Sequence, residues 1–192
     1  MKKVCIIFLL SIIISLTAFG FGGFGSISKN GAPMYALSVQ SQEKNSEYLR
    51  IHIRADSNEN AAQAVKYKVR DEVVTYLTPL IAEYETKAQA MQGIEKNLHL
   101  ISAVAEEILQ KAGFSYGATA ELTVENFPTR VYGGYTLPAG EYTALLIRLG
   151  SGAGDNWRCV AYPPLCFAAT KADVVYKSKI KEIIDRFYNS AT

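Results

Sequence analysis

Residues 154–167 constrain the fold more than any other stretch. They read Gly-Asp-Asn-Trp-Arg-Cys-Val-Ala-Tyr-Pro-Pro-Leu-Cys-Phe and hold the single tryptophan, Trp157, with two of the three cysteines, Cys159 and Cys166. Pro163 and Pro164 stand between the cysteines. Proline fixes φ and removes a backbone donor, so this pair ends a strand and sets a turn, with a cis bond as one way to make it. A turn that brings the two Cα atoms within about 6 Å lets the cysteines close a disulfide. On the loop-entropy model a ring this short stabilises by roughly 2.5 kcal/mol. The other reading is two free thiols buried as small hydrophobes.

The compartment bears on that choice. Met1-Lys2-Lys3 precedes an uncharged apolar run from Val4 to Phe19, the pattern of a basic n-region and an h-region. Residues 1–25 are therefore expected to be a signal peptide or an N-terminal anchor. Cleavage is expected after Gly20, where Ala18 and Gly20 satisfy the small-residue rule; Ala36 fits less well because Met34 precedes it by two. The glycines of residues 20–25 disfavour a spanning helix. Cys5 lies inside the apolar run, too early for a lipoprotein anchor. Both readings place the rest of the chain outside the cytoplasm, where an even number of cysteines pairs. Residues 26–46, rich in Ser, Asn, Gln and Gly, read as a flexible linker. Residues 47–192 remain as a single domain large enough for its own core.

Lys and Arg number 20 and Asp and Glu 18; without Lys2 and Lys3 the balance is 18 − 18 = 0. A neutral domain lacks the basic face that nucleic acid demands and the polybasic excess that holds a protein on anionic lipid.

Leu49, Ile51 and Ile53 alternate with Arg50, His52 and Arg54, which predicts a half-buried strand with a polar outer face. Asp56-Ser57-Asn58-Glu59 then reads as a helix N-cap. Apolar residues from Ala61 to Ile81 recur at helical spacing, and Pro79 predicts a kink or break. A second helix is expected over about 86–112, with Ile94, Leu98, Ile101, Ala105 and Ile108 as its stripe and Gly113 just past its end. Ala120, Leu122 and Val124 alternate with Glu121, Thr123 and Glu125, a second strand with an acidic face. If it neighbours the first, opposite charges meet. Strands over 141–149 and 156–162 follow, joined by Gly150-Ser151-Gly152-Ala153-Gly154, read as a mobile hairpin tip rather than a phosphate cradle because a strand follows it. A last helix over about 171–188 places Tyr176, Ile180, Ile183, Ile184 and Phe187 inward. The order β-α-α-β-β-β-α predicts an α+β fold, a mostly antiparallel sheet with two to three packed helices.

The chemistry-bearing residues are few. His52 and His99 are the two histidines, and neither has a histidine at i+3 or i+4, so no zinc site, and no other metal or cofactor site, is expected. His52 and Cys159 together suggest a thiol dyad, against which Cys166 competes as a disulfide partner. Lys66, Lys68, Arg70 and Asp71 read as a solvated helix face, or as a dock for an acidic partner. Trp157 reads either as core or as the anchor of a binding surface.

Several segments carry a resemblance. These are Leu-Arg-Ile-His-Ile-Arg-Ala-Asp-Ser at 49–57, Val-Lys-Tyr-Lys-Val-Arg-Asp at 65–71, Asn-Phe-Pro at 126–128, Tyr-Gly-Gly-Tyr-Thr-Leu-Pro-Ala-Gly-Glu-Tyr at 132–142, and the glycine-rich run leading into Asn156–Phe167. In that order, across about residues 48–168, they resemble the stage II sporulation protein R family. Arg158 stands where that family is expected to carry a second tryptophan, which tells against an essential paired-Trp surface. The resemblance implies a protein made in the forespore and exported into the space between forespore and mother cell. There it triggers a membrane-embedded aspartic protease that matures the sigma-E precursor, without catalysis of its own. The residues expected to face that protease are Asn156, Trp157, Pro163, Pro164 and Leu165, with Arg50, His52, Lys68 and Arg70. The alternative is an envelope thiol-dependent hydrolase or redox enzyme using Cys159 and Cys166.

Overall fold

The computed structural model describes residues 47–132, 135–167 and 174–190. The expected signal or anchor over 1–25, the linker over 26–46, the Gly133-Gly134 pair and the Tyr176 side chain lie outside the described residues.

The chain runs β1 (Leu49–Arg54), α1 (Asn60–Ile81), α2 (Lys87–Lys96), α3 (Leu98–Lys111), β2 (Ala118–Phe127), β3 (Arg130–Tyr132), β4 (Tyr135–Leu137), β5 (Gly140–Leu149), β6 (Asn156–Tyr162) and α4 (Val174–Asn189). Four strands form one sheet in the order β2-β5-β1-β6, and β3 pairs with β4 in a separate two-stranded sheet. β1 pairs parallel with β5 and antiparallel with β6, while β2 and β5 are antiparallel. The fold is α+β, and its sheet is mixed through the one parallel pair.

Strand alternation divides the sheet into two faces. Leu49, Ile51 and Ile53 of β1 join Leu145, Ile147 and Leu149 of β5 and Cys159 and Ala161 of β6 in the larger core. Val65, Val69, Val73 and Leu77 of α1, Ile101, Ala105 and Leu109 of α3, and Ile180 and Ile183 of α4 fill the same core. Burying a side chain of this size contributes about 1.5–3 kcal/mol. The opposite face holds a smaller cluster of Tyr48, Phe127, Leu137, Tyr142, Ala144 and Val160.

Three connections differ from the sequence expectation. The long second helix is two helices, broken at Asn97. The Asn97 amide donates to the Gly93 carbonyl (2.8 Å) while its oxygen accepts from the Tyr76 hydroxyl (3.0 Å), a side chain competing with the helical ladder. Pro79 does not break α1, which runs through it and ends two residues later at Ile81. The residue before α1 is Glu59, with no side-chain cap, because the expected capping residues are engaged elsewhere.

That engagement explains the third difference. Residues 150–155 do not turn a hairpin, since β1 lies between β5 and β6. They form an arch over the C-terminal end of β1, and the arch is pinned. Asp56 Oδ1 accepts from the Ser151 backbone N–H (2.7 Å), Ser151 Oγ donates to the Asp56 carbonyl (2.7 Å), and Asn58 Oδ1 accepts from the Asp155 N–H (2.6 Å). The Gly154 N–H donates to the Ala55 carbonyl (2.9 Å). Gly150 holds φ at +56°, a region that favours glycine. A Cβ on Gly154 would lie 2.2 Å from the Ser57 carbonyl oxygen.

Gly154→Ala therefore forces backbone apart in the arch. It is expected to destabilise the domain by about 1–3 kcal/mol, seen as a lower denaturant midpoint at unchanged slope.

Candidate functional site: a stapled turn and a cation-lined sheet face

β6 carries the Trp157–Phe167 signature into a tight turn. Cys159 and Cys166 are joined by a disulfide with their Cα atoms 6.2 Å apart. The Tyr162–Pro163 bond is cis. Inside the turn the Leu165 N–H donates to the Pro163 carbonyl (2.7 Å) and the Phe167 N–H to the Pro164 carbonyl (3.1 Å). Phe167 is fully buried in the larger core. Pro163 and Pro164 are buried and Leu165 half-buried. The Tyr162 hydroxyl donates to the Glu85 carbonyl, which ties the end of β6 to the residues ahead of α2.

Trp157 is half-buried at the edge of the larger core. The Arg70 guanidinium lies 5.8 Å from its ring centre and 5.0 Å from that of Tyr67. The basic cluster of α1 divides by helical phase. Lys66 is buried, donates to Gln63 Oε1 (2.6 Å) and to the Asp155 carbonyl (3.1 Å), and burial pushes its ammonium below the usual range. Lys68 is exposed, and Arg70 pairs with Asp71 at 2.7 Å. Lys66 thus belongs to the arch, not to a solvated face.

The expected polar face of β1 is buried instead. Arg50 is fully buried, with its guanidinium carbon 4.2 Å from the Phe127 ring centre, 4.9 Å from Tyr142 and 5.5 Å from Tyr132. Its Nε donates to the Cys159 carbonyl (3.0 Å) and an Nη to the Tyr132 hydroxyl (2.9 Å). Desolvation lowers the pKa of this arginine, which stays a cation at neutral pH. His52, 1 % exposed, bonds through Nδ1 to Glu125 and lies edge-on to Phe127. Glu125 also accepts from Arg54 at 2.5 Å. β2 does not neighbour β1, yet its carboxylate reaches both across β5.

This face was invisible in the sequence because its cover was. The β3–β4 hairpin supplies Tyr132 and Leu137. The sequence signal that could find it is Gly-Gly between Val131-Tyr132 and Tyr135-Thr136-Leu137, a dipeptide that reads as a hairpin turn.

Cys159 and His52 do not come together. Cys159 sits opposite Ile51, and His52 opposite Arg158, so the thiol and the imidazole occupy opposite faces of the sheet. The Cys159 sulfur is moreover bonded to Cys166. His99 is exposed on α3. Among the described residues no group of three or more His, Cys, Asp or Glu is placed to hold a metal ion.

Fold and site together define a disulfide-stapled α+β domain with arginines gathered on the second face of its sheet. The chain belongs to the stage II sporulation protein R family: the family model matches residues 45–172, from just before β1 through the stapled turn. It is similar to the stage II sporulation protein R of Bacillus subtilis (strain 168), 38% identical over 119 residues, or 62% of this chain and 53% of that protein. The chain thus spans about half the length of the curated relative it matches. No solved structure matches it.

Two measurements check this geometry. The unreduced chain, denatured, is expected to show one free thiol, Cys5, and three after reduction. Replacing Cys159 and Cys166 with serine should cost roughly 2–3 kcal/mol. His52 gives the second. Desolvation, the largest influence, holds its folded pKa below its unfolded value despite the opposing bond to Glu125. The unfolded state then binds more protons, so stability is complete above the unfolded pKa of about 6.5 and is lost as pH falls through it toward the folded value. Denaturant titrations between pH 7.5 and 5 should show that decline, and His52→Gln should flatten it.

Proposed function

We propose that this chain is an exported sporulation signal that activates a membrane-embedded aspartic protease, leading to processing of the sigma-E precursor in the mother cell. Its role in sporulation follows from its family. The observation that carries the finer reading is the Cys159–Cys166 disulfide within the family-matched region, which suits an oxidising compartment outside the cytoplasm. The Met1–Phe19 leader supports export, and the family is named for a stage of sporulation, not for a reaction.

The expected contact residues fall into two groups, with Leu165 half-buried in the stapled turn between them. Asn156 is exposed next to the half-buried Trp157, over whose ring Arg70 lies, while Lys68 is exposed two residues before Arg70 on α1 and so on a different side of the helix. Arg–Trp pairs of this kind supply anchors at interfaces. Pro163, Pro164, Arg50 and His52 are buried, and their part is to hold the surface. A turn fixed by a covalent bond has already paid its ordering entropy, which favours tight association.

A sporulating host lacking this chain should accumulate uncleaved sigma-E precursor. The full chain should restore cleavage, and a version without residues 1–25 should not. Trp157→Ala should weaken activation roughly 30-fold, the scale of a 2 kcal/mol interface anchor, without loss of the fold. Normal cleavage in the absence of the chain would rule the reading out.

A further inference from the structure

Among the described residues, the second face of the sheet is only partly covered. At one end the hairpin and Phe187 close over Tyr48, Arg50 and Tyr142. At the other end Arg54, Arg148, Asn156 and Arg158 remain half-buried or exposed. We propose that this uncovered half binds an extended acidic peptide segment of a protein partner, with one carboxylate seated at Arg158 between Arg54 and Arg130.

Charge is the first ground. Arg50, Arg54, Arg130, Arg148 and Arg158 gather around this face against two carboxylates, Glu121 and Glu125. That is 5 − 2 = +3 in a chain whose whole formal charge is +2. The two carboxylates are committed: Glu121 to Arg148 at 2.5 Å, and Glu125 to Arg54 through one oxygen and to His52 through the other. Among the described residues Arg158 meets no carboxylate within 4.0 Å, and its Nε is buried without an acceptor, as is the Nε of Arg54. Arg50 is fully buried behind them, and one of its Nη atoms is likewise without an acceptor. Arg50 and Arg158 share the Phe127 ring, at 4.2 and 5.8 Å from its centre, so the like charges are held close. Burial is the main cause that lowers the Arg158 pKa, with Glu125 opposing it and Arg130 and Arg54 adding to it.

The shape of the ligand is the second ground. A guanidinium edge presents parallel N–H donors that match a carboxylate bidentately. Glu125 stands close to Arg158 and disfavours a dianion such as phosphate. Among the described residues β6 is the outer strand of the sheet and pairs only with β1. A strand laid along that edge gains main-chain hydrogen bonds, and its alternate side chains fall on the cationic face. At the far end the stapled turn folds Cys166 against the Val160 N–H (3.0 Å), and the Tyr132 hydroxyl donates to the Arg158 carbonyl (3.4 Å), so the ligand's main-chain bonds are confined to the Asn156 end of the edge and its hold comes chiefly from the arginines.

This deepens the activation reading by naming the chemistry of the partner's contact, and it rests on that reading for the need of a protein partner. Calorimetric titration of the oxidised full-length protein in detergent micelles tests it. The probes are a synthetic octapeptide of alternating Glu and Thr and, at matched ionic strength, inorganic phosphate. The expected result is saturable one-to-one peptide binding. Arg158→Gln should weaken it about tenfold or more, the scale of a lost charge-assisted pair. Arg130→Gln, at an exposed position, should weaken it several-fold with the unfolding temperature unchanged, and Lys111→Gln on α3 should bind as wild type. Absence of saturable peptide binding, wild-type affinity in both Arg158→Gln and Arg130→Gln, equal loss in Lys111→Gln, or saturation by phosphate in place of the peptide would each overturn the proposal. Because the titration needs no protease, peptide binding in a chain that fails to restore precursor cleavage would sink the activation reading alone.

Discussion

The structure depends on one short strand with two unlike faces. β1 is bonded on both edges, to β5 and to β6, so its register sets theirs. Its isoleucines and Leu49 send one face of the sheet into the helices, and the same pleat sends Arg50 and His52 into the other. A buried cation is costly unless its surroundings replace water. Here three aromatic rings, the Cys159 carbonyl and the Tyr132 hydroxyl do so. The hairpin, the end of β2 and the start of β5 are thereby drawn to one place. Removing Arg50 would leave a hole in the smaller core and an aromatic cage with nothing to enclose.

Much of this was legible from local patterns. The strict alternation at 49–54, the helical stripe after it and the Pro163-Pro164 turn between Cys159 and Cys166 all led to the right elements. What misled was the assumption that a polar residue faces water. Arg50 and His52 look solvent-facing by period alone, because alternation tells which residues share a face and not what covers that face. The same limit applied to Asp56 and Asn58. Their types suit an N-cap, but residues about 95 positions away claimed their oxygens first. Long-range pairing of that kind leaves no local trace. Nor does strand order: the glycine-rich run reads as a hairpin tip until β1 is seen to lie between the strands it joins.

The site follows the same logic. The disulfide, the cis Tyr162–Pro163 bond and the buried prolines make the signature turn a structural support, and the exposed chemistry lies on either side of β6. On one side stands Trp157 with Arg70 over its ring; on the other stands Arg158 among a surplus of guanidiniums. Because strand pairing separates His52 from Cys159, the residues that most suggested a thiol enzyme serve two different faces. A surface of this design is suited to being recognised, in keeping with a protein of sporulation whose proposed task is to be sensed across a membrane.

The central claim is that β1 is the keystone of the domain. Native-state hydrogen exchange tests it most directly. The amides of Ile51, His52 and Ile53 should exchange only through global unfolding, with the same free energy as the domain as a whole. Exchange of those amides through local openings well below the global free energy, while β2 and α3 stay protected, would contradict the account.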